Sequence, residues 1–207
     1  MKKKIAKALL SIRAVFLRPD DPFTWASGIK SPVYCDNRLT LGYPDVRKKI
    51  EEGIAETVKK YYPDAQALMG TSTAGIAHAA IAAWLLGLPM GYVRGSAKDH
   101  GRNNRIEGRI EPGMKVVVIE DLISTAGSCV DTVEALREAG AHVLGVVSIF
   151  TYGMQKGIDR LAQANVENHS LTNFDTLIEV AAEEGYVKED QLPMLRKFIS
   201  SPADWLS

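Results

Sequence analysis

The feature that most constrains the fold of this chain is a long stretch, Ala65 to Val93, that contains no Asp, Glu, Lys or Arg. Its length would suffice for a membrane span, which needs ~20 mainly apolar residues. Small and helix-breaking residues interrupt it, however, at 70–75 and again at Gly87 and Pro89. A strand, a loop, a helix and a second strand, all buried inside an α/β protein, explain this pattern better than a membrane span does.

Segments typical of buried strands alternate with segments typical of helices along most of the chain. The predicted strands cover residues 65–69, 89–93, 115–119 and 143–150, and the predicted helices cover residues 44–58, 76–86, 127–139, 174–184 and 190–199. Ser72 and Thr73 are both available to cap the helix that begins at residue 76. Alternation of this kind implies βαβ units and a central, mainly parallel sheet flanked by helices.

Composition places the chain among ordinary globular proteins. Its 207 residues predict one domain, 1–207, because domains average ~150 residues. The 25 Lys and Arg balance the 25 Asp and Glu, and a zero net charge argues against a general nucleic-acid binder. Cys35 and Cys129 form neither a CxxC pair nor part of a zinc motif, so we expect a reducing, cytoplasmic environment.

The N-terminus is basic and could be mistaken for a targeting peptide. Its first 18 residues hold six bases and no acid, but Lys7 and Arg13 interrupt the apolar run. Apolar residues recur there at helical spacing, at Ile5, Leu9, Ile12 and Phe16. We therefore predict a basic-faced helix docked on the domain.

The most informative segment for function is Val116–Ser128, in which an apolar strand is followed by Glu120 and Asp121 and then by the small residues 124–128. Ligands of open α/β sheets bind beyond the carboxyl ends of the strands. Backbone N–H groups and hydroxyls before a helix suit a phosphate monoester, and the acids suit sugar hydroxyls or a metal–diphosphate. The segment therefore indicates a phosphosugar site, although an acid-terminated strand followed by a capped helix fits the same residues.

Motifs of other nucleotide-binding classes are absent from the sequence. Gly70 and Gly75 have the spacing of a P-loop, but Ile76 and Ala77 follow them in place of Lys and Ser or Thr. No GxGxxG opens a helix either. The sequence therefore does not favour a P-loop nucleotide hydrolase or a dinucleotide-dependent enzyme.

Residues 116–128 resemble the phosphoribosyl-diphosphate (PRPP) signature of type I phosphoribosyltransferases. The shared pattern is a hydrophobic run, two acids, two aliphatic residues, two hydroxyls, a small residue, Gly and Ser. Three further segments, 27–38, 94–101 and 106–108, are similar to the members of this family that act on orotate. The resemblance extends over roughly residues 16–182.

The resemblance implies a fold and a reaction. The fold would be a central, mainly parallel sheet with flanking helices, a small N-terminal hood at about residues 1–45 and a flexible lid loop at 94–112. The reaction would transfer the 5-phosphoribosyl group from PRPP to orotate in de novo pyrimidine (UMP) biosynthesis, giving orotidine 5′-phosphate and diphosphate. The family is dimeric, and the lid would reach the neighbouring subunit's site. No membrane or nucleic-acid partner is expected.

Site residues also follow from the resemblance. Those implied for PRPP are Arg94, Lys98, His100, Glu120, Asp121, Leu122, Ile123, Ser124, Thr125, Ala126, Gly127 and Ser128. Lys98 and Asp121 are the catalytic candidates, and Ser124 and Tyr34 would contact orotate. Lys30 and Arg38 remain alternatives for the orotate carboxylate. Magnesium would arrive mainly with PRPP, and no residue is assigned as the ligand of a resident metal.

The charge of the lid supports this chemistry independently. Residues 94–109 hold five Arg and Lys against two acids. Diphosphate leaving a ribose accumulates negative charge, and fixed cations nearby lower the barrier. Gly95 and Gly101 would let the lid close. A solvated charged loop would show the same pattern.

Four departures from the family pattern leave fewer cations in the site, and two alternatives stay open. Ala26, Ala74, Gly95 and the Thr151–Tyr152 region stand where some members have a basic residue.

A purine phosphoribosyltransferase would share the PRPP loop. A PRPP-sensing regulator that binds nucleic acid is disfavoured, because residues 170–207 hold three bases and seven acids.

Overall fold

The computed structural model describes residues 1–24, 30–95, 105–202, 204 and 205. Within them the strands are β1 (Val15–Leu17), β2 (Phe23–Thr24), β3 (Lys30–Ser31), β4 (Val33–Cys35), β5 (Ala67–Thr71), β6 (Met90–Val93), β7 (Ile106–Glu107), β8 (Lys115–Ile123), β9 (His142–Thr151) and β10 (Asn168–Asn173). The α-helices are α1 (Lys2–Ser11), α2 (Pro44–Tyr61), α3 (Ala74–Leu86), α4 (Gly127–Glu138), α5 (Gln155–Gln163), α6 (Phe174–Glu183) and α7 (Leu192–Ser200). Short 3₁₀ helices lie at Asn37–Gly42 and Glu189–Gln191.

Six of these strands form the central sheet, in the order β10-β9-β8-β5-β6-β7. Neighbouring strands run parallel except β7, which pairs antiparallel with β6. Val116, Val117, Val118 and Ile119 of β8 are all fully buried, as expected of a strand covered on both faces. The predicted mainly parallel α/β sheet is confirmed.

Helices cover both faces of the sheet. Val117 and Ile119 belong to one apolar cluster, which includes residues of α1, α2, α3, α6 and α7. Val116 and Val118 belong to the other, with α4 and α5. Side chains of a strand alternate between its faces, so β8 contributes to both layers. No helix in the described ranges is long and apolar enough to cross a membrane.

A small N-terminal layer lies beside the sheet. In it β1 pairs antiparallel with β4, and β2 pairs antiparallel with β3. The C-terminus reaches this layer, because the Trp205 Nε1–H group donates to the Lys30 carbonyl at 2.7 Å. The Trp205 ring also packs edge-on against Phe198, with centroids 5.8 Å apart.

Two predicted boundaries are wrong. Helix α1 ends at Ser11, and Arg13 takes a positive φ of 56°. That conformation cannot continue a right-handed helix, so Phe16 lies in β1. Strand β8 continues to Ile123, which places both acids inside the strand and not after it.

Other elements differ from expectation or were not predicted. The lid range 94–112 includes β7, and α5 and β10 had no predicted counterpart. His169 lies in β10 and stacks on Tyr61 with ring centroids 3.7 Å apart. Thr73 occupies the cap position of α3 without a side-chain cap. The Ser72 hydroxyl donates to the Val93 carbonyl instead, at 2.6 Å.

Candidate functional site

Glu120 lies near the carboxyl end of β8 and is 4% exposed. Its Oε1 atom accepts from the Thr71 hydroxyl at 2.6 Å and from the Asp121 N–H at 3.0 Å, and its Oε2 atom lies 3.4 Å from the Ser128 hydroxyl. Burial is the main cause that raises the pKa of Glu120 to about 8, and Asp121 raises it further. The carboxyl group thus links β5, β8 and α4, with protein partners on both oxygens.

Asp121 differs from its neighbour because its side chain is half-buried and not enclosed. Its carbonyl oxygen accepts from Asn37 Nδ2 at 2.7 Å, and Asn37 itself is 1% exposed. This bond fixes the first 3₁₀ helix against the end of β8. No sequence pattern singled out Asn37, since a lone Asn at the start of a short helix is ordinary.

Residues 124–126 connect β8 to α4, and together with the first two residues of the helix they form loop 124–128, called the phosphate loop below. Ala126 precedes the helix with a φ of 58°, a left-handed conformation of the kind found in anion-binding backbone nests. Among the described residues, no protein acceptor receives the main-chain N–H groups of residues 125–128. Four consecutive donors are therefore available to an anion at the positive end of α4.

A second loop, 72–75, borders the same end of β8. A Cβ atom on Gly75 would lie 2.4 Å from the Ile119 carbonyl oxygen, so only glycine allows this approach. The peptide bond between Ser72 and Thr73 is cis. The carboxyl ends of β5 and β8 thus bring loop 72–75 and loop 124–128 to the same edge of the sheet, because the two strands pair in parallel.

The N-terminal layer supplies the candidates for the base. Tyr34 is 43% exposed, and its ring centroid lies 5.8 Å from that of Phe23. Arg38 forms two hydrogen bonds with the Asp36 carboxylate, at 2.7 and 2.8 Å, and this contact raises the pKa of Arg38. The Lys30 ammonium donates to the Thr24 hydroxyl at 2.7 Å. Both cations stay candidates for the orotate carboxylate.

The base of the lid is anchored on β6, β7 and α4. Arg94 Nε lies 3.3 Å from Glu107 Oε1. The Arg105 guanidinium donates to the Arg94 carbonyl at 3.0 Å and pairs with the Asp131 carboxylate. The other lid candidates, Lys98 and His100, lie outside the described residues.

The structure therefore brings most of the predicted PRPP residues to one place. Residues 120–128 form a continuous strand end and loop, and Arg94 follows a strand of the same sheet. Sequence reasoning missed Asn37, Thr71 and Arg160, which hold this loop and strand end through side-chain hydrogen bonds. In the described part of the chain, no group of three or more His, Cys, Asp or Glu residues could hold a metal ion.

Comparison with known proteins decides the family. The model of the phosphoribosyl transferase domain matches residues 43–187. The orotate phosphoribosyltransferase of Bacillus cytotoxicus is 54% identical over 209 aligned residues, which cover all of both chains. This chain belongs to the orotate phosphoribosyltransferase family. A second member, from Bacillus cereus, is also 54% identical over the full length of both chains.

Solved structures agree with this assignment. The orotate phosphoribosyltransferase of Aeropyrum pernix superposes with a TM-score of 0.76 at 30% identity, over 88% of this chain and 99% of that one. The UMP synthase of Leishmania donovani shares the fold with a TM-score of 0.80 at 24% identity. The match covers 95% of this chain but 42% of that larger protein.

Proposed function

We propose that this phosphoribosyltransferase transfers the 5-phosphoribosyl group of PRPP to orotate, giving orotidine 5′-phosphate and diphosphate. The observation that carries the proposal is the row of four N–H groups at residues 125–128, which have no protein acceptor among the described residues and follow the half-buried Asp121 in the chain. The row suits the 5′-phosphate, and the carboxylate suits a ribose hydroxyl. Identity of 54% with orotate phosphoribosyltransferases supports the choice of base.

In this reaction the bond from ribose C1 to the diphosphate oxygen breaks and a bond from C1 to N1 of orotate forms. The N1 proton is released to water, and the diphosphate leaves with the bonding electron pair. Negative charge grows on the departing diphosphate, so fixed cations near it stabilise the transition state. Arg94, Lys98 and His100 are the residues we assign to that role.

The two adjacent acids have different roles in this proposal. Asp121 can approach the ribose because its side chain is half-buried, and it is our candidate for direct substrate contact. Glu120 is engaged by Thr71, Ser128 and the backbone. Its contribution is to position the strand end, and it reaches the ribose only after exchanging one of these partners.

Tyr34 and Ser124 are proposed to hold the orotate ring. The exposed Tyr34 ring offers an aromatic face, and stacking on such a ring suits a planar base. Ser124 is half-buried at the start of the loop and offers a hydroxyl. The ring would thus lie between the N-terminal layer and the phosphate loop.

Magnesium is proposed to enter with PRPP. It prefers oxygen ligands and is commonly held by one or two carboxylates together with substrate phosphates. The half-buried Asp121 carboxylate fits such a donor set, while the oxygens of Glu120 are engaged. The ion would neutralise part of the charge of the diphosphate.

The assembly is proposed to be a homodimer. Every residue of α3 except His78 is apolar or glycine, yet Trp84 is 80% exposed and Leu85 is 41% exposed. A helix that is apolar all round is normally buried, so a second copy is the occupant that we assign to this face. The lid of one subunit would then reach the site of the other.

The cytoplasm is the proposed compartment. Cys35 and Cys129 are free thiols, and free thiols persist where the redox environment is reducing. The zero net charge supports small-molecule substrates over nucleic acid.

A base-selectivity assay tests the proposal. PRPP and Mg²⁺ are mixed with the purified chain and, in parallel, orotate, adenine, hypoxanthine or xanthine, and diphosphate release is measured. Of the four bases, we expect only orotate to cause diphosphate release. Release with a purine and not with orotate would replace the proposal by a purine phosphoribosyltransferase.

A further inference from the structure

Helix α5 contacts the outer side of loop 124–128 at two successive carbonyl groups. The Arg160 Nη1 atom donates to the Thr125 carbonyl at 2.9 Å. A Cβ atom on Gly157 would lie 2.4 Å from the Ser124 carbonyl oxygen, so the helix backbone lies directly against that group. Gly157 is the buried residue of α5. Both carbonyls are therefore fixed toward α5.

Fixing these carbonyls also orients the amides that follow them. In a trans peptide the C=O and the next N–H lie in one plane and point in opposite directions. The N–H groups of Thr125 and Ala126 consequently point away from α5. Neither has a protein acceptor in the described part of the chain.

Arg160 also brings a charge that the loop itself lacks. Residues 124–128 contain no charged side chain. Within the described ranges Arg160 forms no ion pair, because no carboxylate oxygen lies within 4.0 Å of its guanidinium. A Cβ atom on Gly127 would be 2.9 Å from Arg160 Nη1, which places this cation beside the first residue of α4.

We propose that Arg160 is a positioning residue for the phosphate of PRPP. It holds the Thr125 carbonyl outward, so that the Ala126 N–H faces the 5′-phosphate, and it adds positive charge at the start of α4. The inference rests on the proposed function. Arg160 also supplies a cation to a site that has few of them. Four positions that are basic in some members of the family are Ala26, Ala74, Gly95 and the Thr151–Tyr152 region in this chain.

A purely structural role for Arg160 makes a different prediction. If the bond to Thr125 only attached α5 to the domain, its loss would lower stability without a preference between substrates. A positioning role raises KM for PRPP more than KM for orotate, because Arg160 orients the backbone of Thr125 and Ala126, whereas the base is assigned to the side chains of Tyr34 and Ser124. The two roles are therefore separable by steady-state kinetics.

The test compares Arg160→Met with Arg160→Lys and with the control Lys156→Met. Lys156 is exposed on the same helix, so its replacement removes one positive charge without touching the loop. Arg160→Met should raise KM for PRPP about tenfold, equivalent to ~1.4 kcal/mol. KM for orotate should rise clearly less, by about twofold or below, because the contacts assigned to the base are made by the side chains of Tyr34 and Ser124. Arg160→Lys should recover most of the loss, and Lys156→Met should behave as wild type.

Binding of ribose 5-phosphate, measured by calorimetry, gives a readout that needs neither orotate nor diphosphate. Its affinity should fall in Arg160→Met and recover in Arg160→Lys. If the wild type is active but Arg160→Met keeps the wild-type KM for PRPP and the wild-type affinity for ribose 5-phosphate, the inference about Arg160 is wrong and the proposed function stands. A wild type that turns over no orotate would overturn the proposed function, whichever affinity Arg160→Met shows.

Discussion

Glu120 and Asp121 are adjacent in the sequence, but the structure gives them different surroundings. Glu120 is enclosed and has three protein partners, whereas Asp121 is half-buried at the end of the strand. The sequence predicted both acids near the carboxyl end of this strand, because a buried apolar run leads directly into them. It could not separate them, since Thr71, which bonds the Glu120 carboxyl group, and Asn37, which bonds the Asp121 carbonyl, come from distant parts of the chain.

The burial of Glu120 predicts a pH dependence of stability. Its pKa rises from the ordinary 4.5 to about 8 on folding, mainly through burial. Between these values the folded chain holds a proton that the unfolded chain has lost, so the stabilising effect of this proton is present at low pH and fades as pH rises. The wild-type free energy of unfolding should therefore fall between about pH 5 and 8, relative to Glu120→Gln, by at least ~1 kcal/mol.

Urea denaturation of both proteins at several pH values measures this difference. Other titrating groups are common to the two proteins and cancel in the comparison. Parallel curves for wild type and Glu120→Gln would show that Glu120 is ionised in the folded chain throughout this range.

Lys98 carries the clearest catalytic prediction for a single residue. Replacing it with Ala should lower kcat about a hundredfold or more, because a fixed cation that meets developing charge is worth that much. The melting temperature should hardly change. Lys59→Ala, an exposed position on α2, is the control. Wild-type turnover in Lys98→Ala would remove this residue from the mechanism.

At the scale of elements, regular apolar spacing was the reliable guide. In the helix predicted at residues 44–58, the apolar residues Val46, Ile50, Ile54 and Val58 recur at helical spacing, and all four are buried. Strand β10 was missed because its sequence, Asn-His-Ser-Leu-Thr-Asn, is polar and lies at the sheet edge. Helix α1 was predicted too long because the positive φ of Arg13 leaves no mark in the apolar pattern.

Helix α3 carries the prediction about assembly. Trp84→Glu places a charge on the apolar face of α3 and should convert a dimer to a monomer. Burying an unpaired carboxylate at the interface would cost more free energy than the remaining apolar contacts provide. Light scattering after size-exclusion chromatography measures the mass. Tyr186→Glu, at a residue that is 51% exposed, is the matched control and should remain dimeric. A wild type that already runs as a monomer contradicts the proposed assembly.

At the scale of the whole molecule, the alternation of strands and helices predicted the central sheet, and parallel pairing then brought the strand ends together. Asn37 holds the end of β8 and Arg160 holds loop 124–128, and these two residues lie on opposite sides of the site in the chain order. Such long-range contacts have no periodicity or spacing, so sequence reasoning did not find them. The charge-free stretch Ala65–Val93 became β5, α3 and β6, as predicted.

The central claim is that PRPP and orotate react at the end of β8. The most direct measurement follows orotate absorbance after PRPP and Mg²⁺ are added to the purified chain. We predict that the absorbance falls with time, that orotidine 5′-phosphate and diphosphate appear in equal amounts, and that the loss requires PRPP. An unchanged orotate absorbance under these conditions would contradict the account.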